Sequence, residues 1–134
     1  MSLLASAHIF VASVCVVVSL LHITIFLRQT ELKINFIFAI MALCCGSAAL
    51  LDLGMLHAKD VETFTAFLKL TNSFQVLLWI AFIWFIQCYT GNNRRWAILL
   101  VTGIYLLSGL LNLIFDHGIL FAHIDHLDSV ILPW

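Results

Sequence analysis

The sequence predicts an all-α, polytopic membrane protein, one domain over residues 1–134 built as a four-transmembrane-helix bundle. Hydrophobic residues make up 63% of the chain and charged residues 10%. Ordinary soluble domains carry roughly 25% charged residues, so there is too little polar surface here to cover a globule in water. The apolar residues fall into four runs, about 3–27, 34–56, 67–90 and 96–115. At about 1.5 Å of helix per residue, each run is long enough for the roughly 30 Å hydrocarbon core of a bilayer. The third run carries the clearest stop. The uncharged, aromatic-rich stretch Phe74–Gly91 closes on Tyr89-Thr90-Gly91-Asn92-Asn93-Arg94-Arg95, in which a glycine C-cap signal, two amides and two arginines end the helix.

The first run has no Lys or Arg before it and Arg28 after it. A secretory signal has the opposite charge order, so this segment is expected to be an anchor with its N-terminus outside. Arg28–Lys33 forms a short polar turn. The second run holds Ala39, Ala42, Cys45, Gly46, Ala48 and Ala49. Ala42 and Gly46 stand four apart, as do Cys45 and Ala49, a spacing that lets a neighbouring helix approach closely. Cys15, Cys44, Cys45 and Cys88 all lie inside apolar runs with no CxxC pair, and read as small buried hydrophobes. His57–Thr63 is the second loop. The fourth run is softened by Gly103, Ser108, Gly109 and Asn112, and residues 116–134, with three histidines, three aspartates and no Lys or Arg, are expected as an outward loop.

Basic residues orient the bundle. Loop one carries Arg28 and Lys33 and loop three Arg94 and Arg95. Loop two has only Lys59, offset by Asp60 and Glu62. The positive-inside rule then places loops one and three in the cytoplasm, with both termini and loop two outside. The partner of such a chain is the lipid bilayer. A net charge of −1 gives no electrostatic footprint for nucleic acid.

Asp52 and Lys69 are the most informative polar pair. They sit at similar depth below the outer interface on helices joined by a short loop, and an ion pair would offset part of the cost of burying charge in a span. The plainer alternative is that Lys69 snorkels to the headgroups while Asp52 reaches water. Asn72 and Gln75, three apart, share a face near Lys69, and Trp79 lies one turn deeper. Together with Asp52 these residues form the candidate ligand-binding site, a polar lining with an aromatic floor. Interhelical hydrogen bonds are the competing account of Asn72, Gln75, Gln87 and Asn112.

No catalytic site is expected, because no nucleophile–base arrangement, phosphate loop or paired glutamates occur. His8 and His22 are spaced for two haems, but the other spans hold no partner histidines. His117, His123 and His126 near carboxylates suit zinc in principle, without an HExxH pattern. No metal or other cofactor is expected.

Several stretches carry a resemblance. They are the small-residue run Phe36–Leu56 with Asp52-Leu53, then Phe67-Leu68-Lys69-Leu70, Leu77-Leu78-Trp79-Ile80-Ala81-Phe82, and Tyr89-Thr90-Gly91 with its basic residues. Over about residues 34–128 the chain resembles the N-terminal seven-helix membrane region of bacterial sensor histidine kinases and diguanylate cyclases. The resemblance implies an outside N-terminus, a bacterial inner-membrane location, a small-molecule or membrane stimulus, and correspondence to the first four of seven helices. Kinase or cyclase activity would belong to a cytoplasmic C-terminal domain that this chain lacks. The expected function is therefore a non-enzymatic sensory input module. A small transporter subunit using Asp52 and Lys69, or a structural assembly subunit using the small-residue face of the second span, is the alternative. A second copy of the chain is a candidate partner in each case.

Overall fold

A computed structural model describes residues 3–91 and 94–115. Four α-helices account for nearly all of them: α1 (Leu3–Arg28), α2 (Lys33–His57), α3 (Val61–Thr90) and α4 (Arg95–Ile114). All four are long and apolar enough to cross a membrane, and the protein is an all-helical integral membrane bundle. The expected loop 116–134, with His117, His123 and His126, lies outside the described residues.

The helices pack in chain order. α1 lies on α2, α2 on α3 and α3 on α4, and α1 and α4 form the two edges. Each of the inner helices therefore has a neighbour on either side. The large apolar side chains of the edge helices face outward, among them Phe10, Val17, Leu20 and Leu21 on α1 and Leu99, Ile104 and Leu107 on α4. In a bilayer that surface needs no cover, because lipid tails are as apolar as leucine.

The seam between α1 and α2 is built from small residues at seven-residue steps. Ala5, Ala12 and Ser19 are buried on α1, and Ala39 and Gly46 on α2. Ser19 Oγ donates to the Ala39 carbonyl at 3.0 Å, and a Cβ on Gly46 would stand 2.9 Å from Cys15 Cβ. The two backbones thus approach closely at both levels. Gly46 serves the helix contact its spacing predicts. The stripe, however, repeats every two turns, and Cys45 and Ala49 face elsewhere.

α3 begins at Val61, six residues ahead of the expected run 67–90. The cause is Asp60, an N-cap whose carboxylate accepts from Thr63 N at 2.7 Å and from Thr63 Oγ1 at 2.9 Å, satisfying a donor that the first turn leaves free. At 30 residues, α3 is about 45 Å long, which exceeds the apolar thickness and leaves its first turns polar. Its far end is the predicted glycine stop. Gly91 takes φ +64° and donates to the Gln87 carbonyl at 3.0 Å. Ser13, Thr24, Ser73 and Thr90 each bond the carbonyl four residues back, which is how a hydroxyl is tolerated where no water reaches.

Candidate functional site

The polar residues of the candidate site separate into two groups on neighbouring faces of α3. The first faces α4. Asn112, fully buried, lies against the helix and holds three contacts. Its Nδ2 donates to the Lys69 carbonyl at 3.0 Å and to Ser73 Oγ at 3.5 Å, and its Oδ1 accepts from Asn72 Nδ2 at 3.3 Å. Lys69 Nζ reaches the Leu113 carbonyl at 3.5 Å near the end of α4. There a cation is favoured by the unsatisfied carbonyls of a helix C-terminus. Asn72 and Lys69 therefore belong to a packed polar knot that fastens α4 to α3.

The second group lies in a groove among α1, α2 and α3. A cavity of about 370 Å³ is lined there by Asp52 and Gln75 together with His8, and by small apolar residues including Cys45, Ala48 and Ala49. Asp52 is five residues, about 7.5 Å, from the end of α2, well inside the apolar run. Among the described residues, no Lys or Arg lines the cavity. His8 Nδ1 lies 2.8 Å from the Leu4 carbonyl and so carries the proton, which leaves Nε2 as the ring nitrogen open to a ligand.

The expected single pocket is thus corrected in three respects. Asp52 and Lys69 do not pair, because their side chains leave α2 and α3 toward different neighbours. Asn72 is not part of the lining shared by Asp52 and Gln75. Trp79 is not its floor; it lines a separate cavity of about 260 Å³ with Met41 and Phe82, and Leu78 borders both. Sequence reasoning weighed His8 only as a haem ligand with His22 and did not place it beside Asp52. Its signal was available: an isolated imidazole one and a half turns into an apolar helix, at the same membrane end as Asp52. His22 has a structural partner instead, bonding Asn35 Oδ1 at 2.9 Å and packing on Phe38 with ring centroids 4.5 Å apart.

At the other end of the bundle a third cavity, of about 520 Å³, opens among α2, α3 and α4, bounded by Lys33, Arg95, Gln87 and Trp84. Among the described residues, no group of three or more His, Cys, Asp or Glu stands close enough to hold a metal ion. The cavities offer a carboxylate and an imidazole in an apolar groove at one end, and two cations around a half-buried amide at the other. No family model, no curated protein and no solved structure matches the chain.

Proposed function

We propose that the protein is a membrane-embedded sensory input module whose α1–α2–α3 groove receives a small amphiphile bearing a cationic or hydrogen-bond-donating group. One observation carries this reading. Asp52 places a carboxylate inside an apolar span, beside His8 and Gln75, in a cavity that, among the described residues, no Lys or Arg shares. A charged side chain costs about 2.5–3.5 kcal/mol at the centre of a span on insertion scales and less toward its ends, where Asp52 lies. Inside a membrane such residues pair with one another or mark a ligand or ion path. A ligand ammonium on Asp52, with its apolar tail along Ala48 and Ala49, would supply the missing partner. The resemblance to sensor-kinase and cyclase input regions supports the sensory role, a bacterial inner-membrane location, and an orientation with His8, Asp52 and loop two toward the outside. Output activity would reside in a separate cytoplasmic domain.

The reading is tested with Gln75→Cys in a background whose four native cysteines are replaced, reconstituted in nanodiscs. A small water-soluble methanethiosulfonate should modify the introduced thiol, and octyltrimethylammonium should slow the reaction. Asp52→Asn should remove that protection. Equal protection with Asp52→Asn, or no modification at all, would remove Asp52 from the site. In liposomes, a sensory module binds the ammonium ion without moving it, whereas a transporter subunit would carry it inward.

A further inference from the structure

We propose that the cavity at the basic end of α2, α3 and α4 binds the headgroup of an anionic phospholipid that carries a free hydroxyl, a phosphoglycerol headgroup being the simplest. Three independent features of the cavity point to this ligand, and two of them call for an anion. Lys33 and Arg95 both line it, and among the described residues no acidic side chain does. These two residues are the first of α2 and α4, so two helix N-termini converge there. Neither N-cap residue, Leu32 or Arg94, gives a side-chain cap bond, and neither first turn holds an acidic residue. The positive ends of two helix dipoles therefore add to the two side-chain cations.

The unpaired Gln87 oxygen is the third feature and narrows the ligand further. Gln87 lines the cavity, and its Oε1 is covered from water and has no hydrogen-bond donor. A buried acceptor left unpaired is costly, and a simple phosphate diester offers only acceptors. A headgroup hydroxyl supplies the donor once the Gln87 side chain turns its Oε1 into the cavity. The cavity also has the polarity gradient of a lipid. It runs from Lys33, Gly91 and Arg95 at the polar boundary to Trp84 and Leu99 deeper in the span. Trp84 and Gly91 are seven residues, about 10 Å, apart along α3. A phosphate at the cationic rim, a hydroxyl on Gln87 one turn below Gly91, and an acyl chain against Leu99 fit that gradient. The volume lies within the range of specific small-molecule sites.

Native mass spectrometry of the full chain in detergent, titrated with defined lipids, tests this. Phosphatidylglycerol should be retained about thirtyfold more strongly than phosphatidylcholine, as expected for two basic side chains. Lys33→Gln with Arg95→Gln should abolish that preference, and Lys33→Arg should keep it. Arg28→Gln, which removes a cation from the same membrane end but outside the cavity, should leave it unchanged. Phosphatidylmethanol has the same charge without a hydroxyl. The wild type should favour phosphatidylglycerol over it, and Gln87→Leu should equalise the two. Three results would overturn the proposal: an Arg28→Gln loss as large as that of the cavity variants, an unchanged hydroxyl preference in Gln87→Leu, or displacement of the lipid by millimolar glycerol phosphate. The last outcome would assign the site to a soluble phosphate.

Discussion

Asn72 and Asn112 join their side-chain amides at 3.3 Å across the interface of α3 and α4. Asn112 is the pivot, because its own Nδ2 also serves the Lys69 carbonyl and Ser73 Oγ. Interhelical hydrogen bonds in membranes contribute about 0.6 kcal/mol on average and up to about 1.7. Asn112→Leu should therefore destabilise the bundle by about 1–2 kcal/mol, more than Asn72→Leu, which removes one bond of the set. In a double-mutant cycle read by SDS-induced unfolding, the pair should show a coupling of about 0.5–1.5 kcal/mol. Strict additivity would dissolve the knot into separate contacts.

Asp52 and Lys69 should behave in the opposite way. Their side chains serve different interfaces, one the α1–α2–α3 groove and the other the end of α4. Asp52→Asn and Lys69→Met should accordingly add within about 0.5 kcal/mol. Asp52→Asn alone should raise stability, by about 1 kcal/mol, because it removes an intramembrane charge. A gain of stability on neutralising an intramembrane charge is expected of a residue kept for binding. A coupling above about 1 kcal/mol would restore the ion pair.

The glycines offer a packing test. At Gly46 an added Cβ would meet Cys15 Cβ at 2.9 Å, and at Gly54 it would meet the Phe67 ring at 2.8 Å. Gly46→Ala must push α1 away from α2, since the Ala12 backbone lies behind Cys15, and should cost about 1–3 kcal/mol. Gly54→Ala should cost less, because the Phe67 ring can turn. At Gly103 nothing lies within 4 Å, and Gly103→Ala should stabilise α4 by up to about 1 kcal/mol. Thermal unfolding in detergent ranks the three. A neutral Gly46→Ala would mean the seam is looser than the Ser19–Ala39 bond requires.

Four helices and the Gly91 stop were legible in the sequence because each depends on local chemistry: apolar runs, polar breaks and a residue able to take positive φ. The grouping of polar residues was not. Asn72 and Gln75 are about 60° apart around α3, and α3 has neighbours on both sides, so that rotation sends one amide toward α4 and the other toward α1 and α2. Periodicity gives the angle but not which groove lies at it. The stripe Ala5–Ala12–Ser19 was hidden for a different reason. Small residues in an apolar run carry no polarity contrast, and only the partner backbone, with Ala39 and Gly46 opposite, gives the stripe meaning.

Asp60 supplies a pH dependence. The backbone N–H of Thr63, and then its hydroxyl, hold the Asp60 carboxyl below the ordinary carboxylate range. A folded-state value lowered in this way contributes stability that is fully present above the unfolded value. That stability is lost as pH falls through the lowered one, below about pH 4. Helicity at the start of α3 should therefore fall on acidification in the wild type. Asp60→Ala should be less helical at neutral pH and should lose that part of the acid response. Hydrogen exchange of the Thr63 and Phe64 amides at pH 3 and pH 7 reads the difference, and an unchanged response in Asp60→Ala would assign it to another carboxylate.

The orientation of the bundle decides which compartment reaches each cavity. Loop one carries Arg28 and Lys33 and the third connection carries Arg94 and Arg95, so four of the six basic residues lie at the end where α2 and α4 begin. Loop two, at the other end, combines Lys59 with Asp60 and Glu62. Exporting the first end would move four cations across the membrane, whereas exporting the second moves almost no net charge, so the basic end should stay in the cytoplasm. Thr30 and Lys59 are exposed residues of loops one and two. As single cysteines in a background lacking the native four, Lys59→Cys should react with an impermeant maleimide on intact cells, and Thr30→Cys only after permeabilisation. The reverse pattern would place the Asp52 groove toward the cytoplasm and the Lys33–Arg95 cavity toward the outer leaflet. An external amphiphile would then have no direct path to Asp52, and the proposed stimulus would have to come from within the cell.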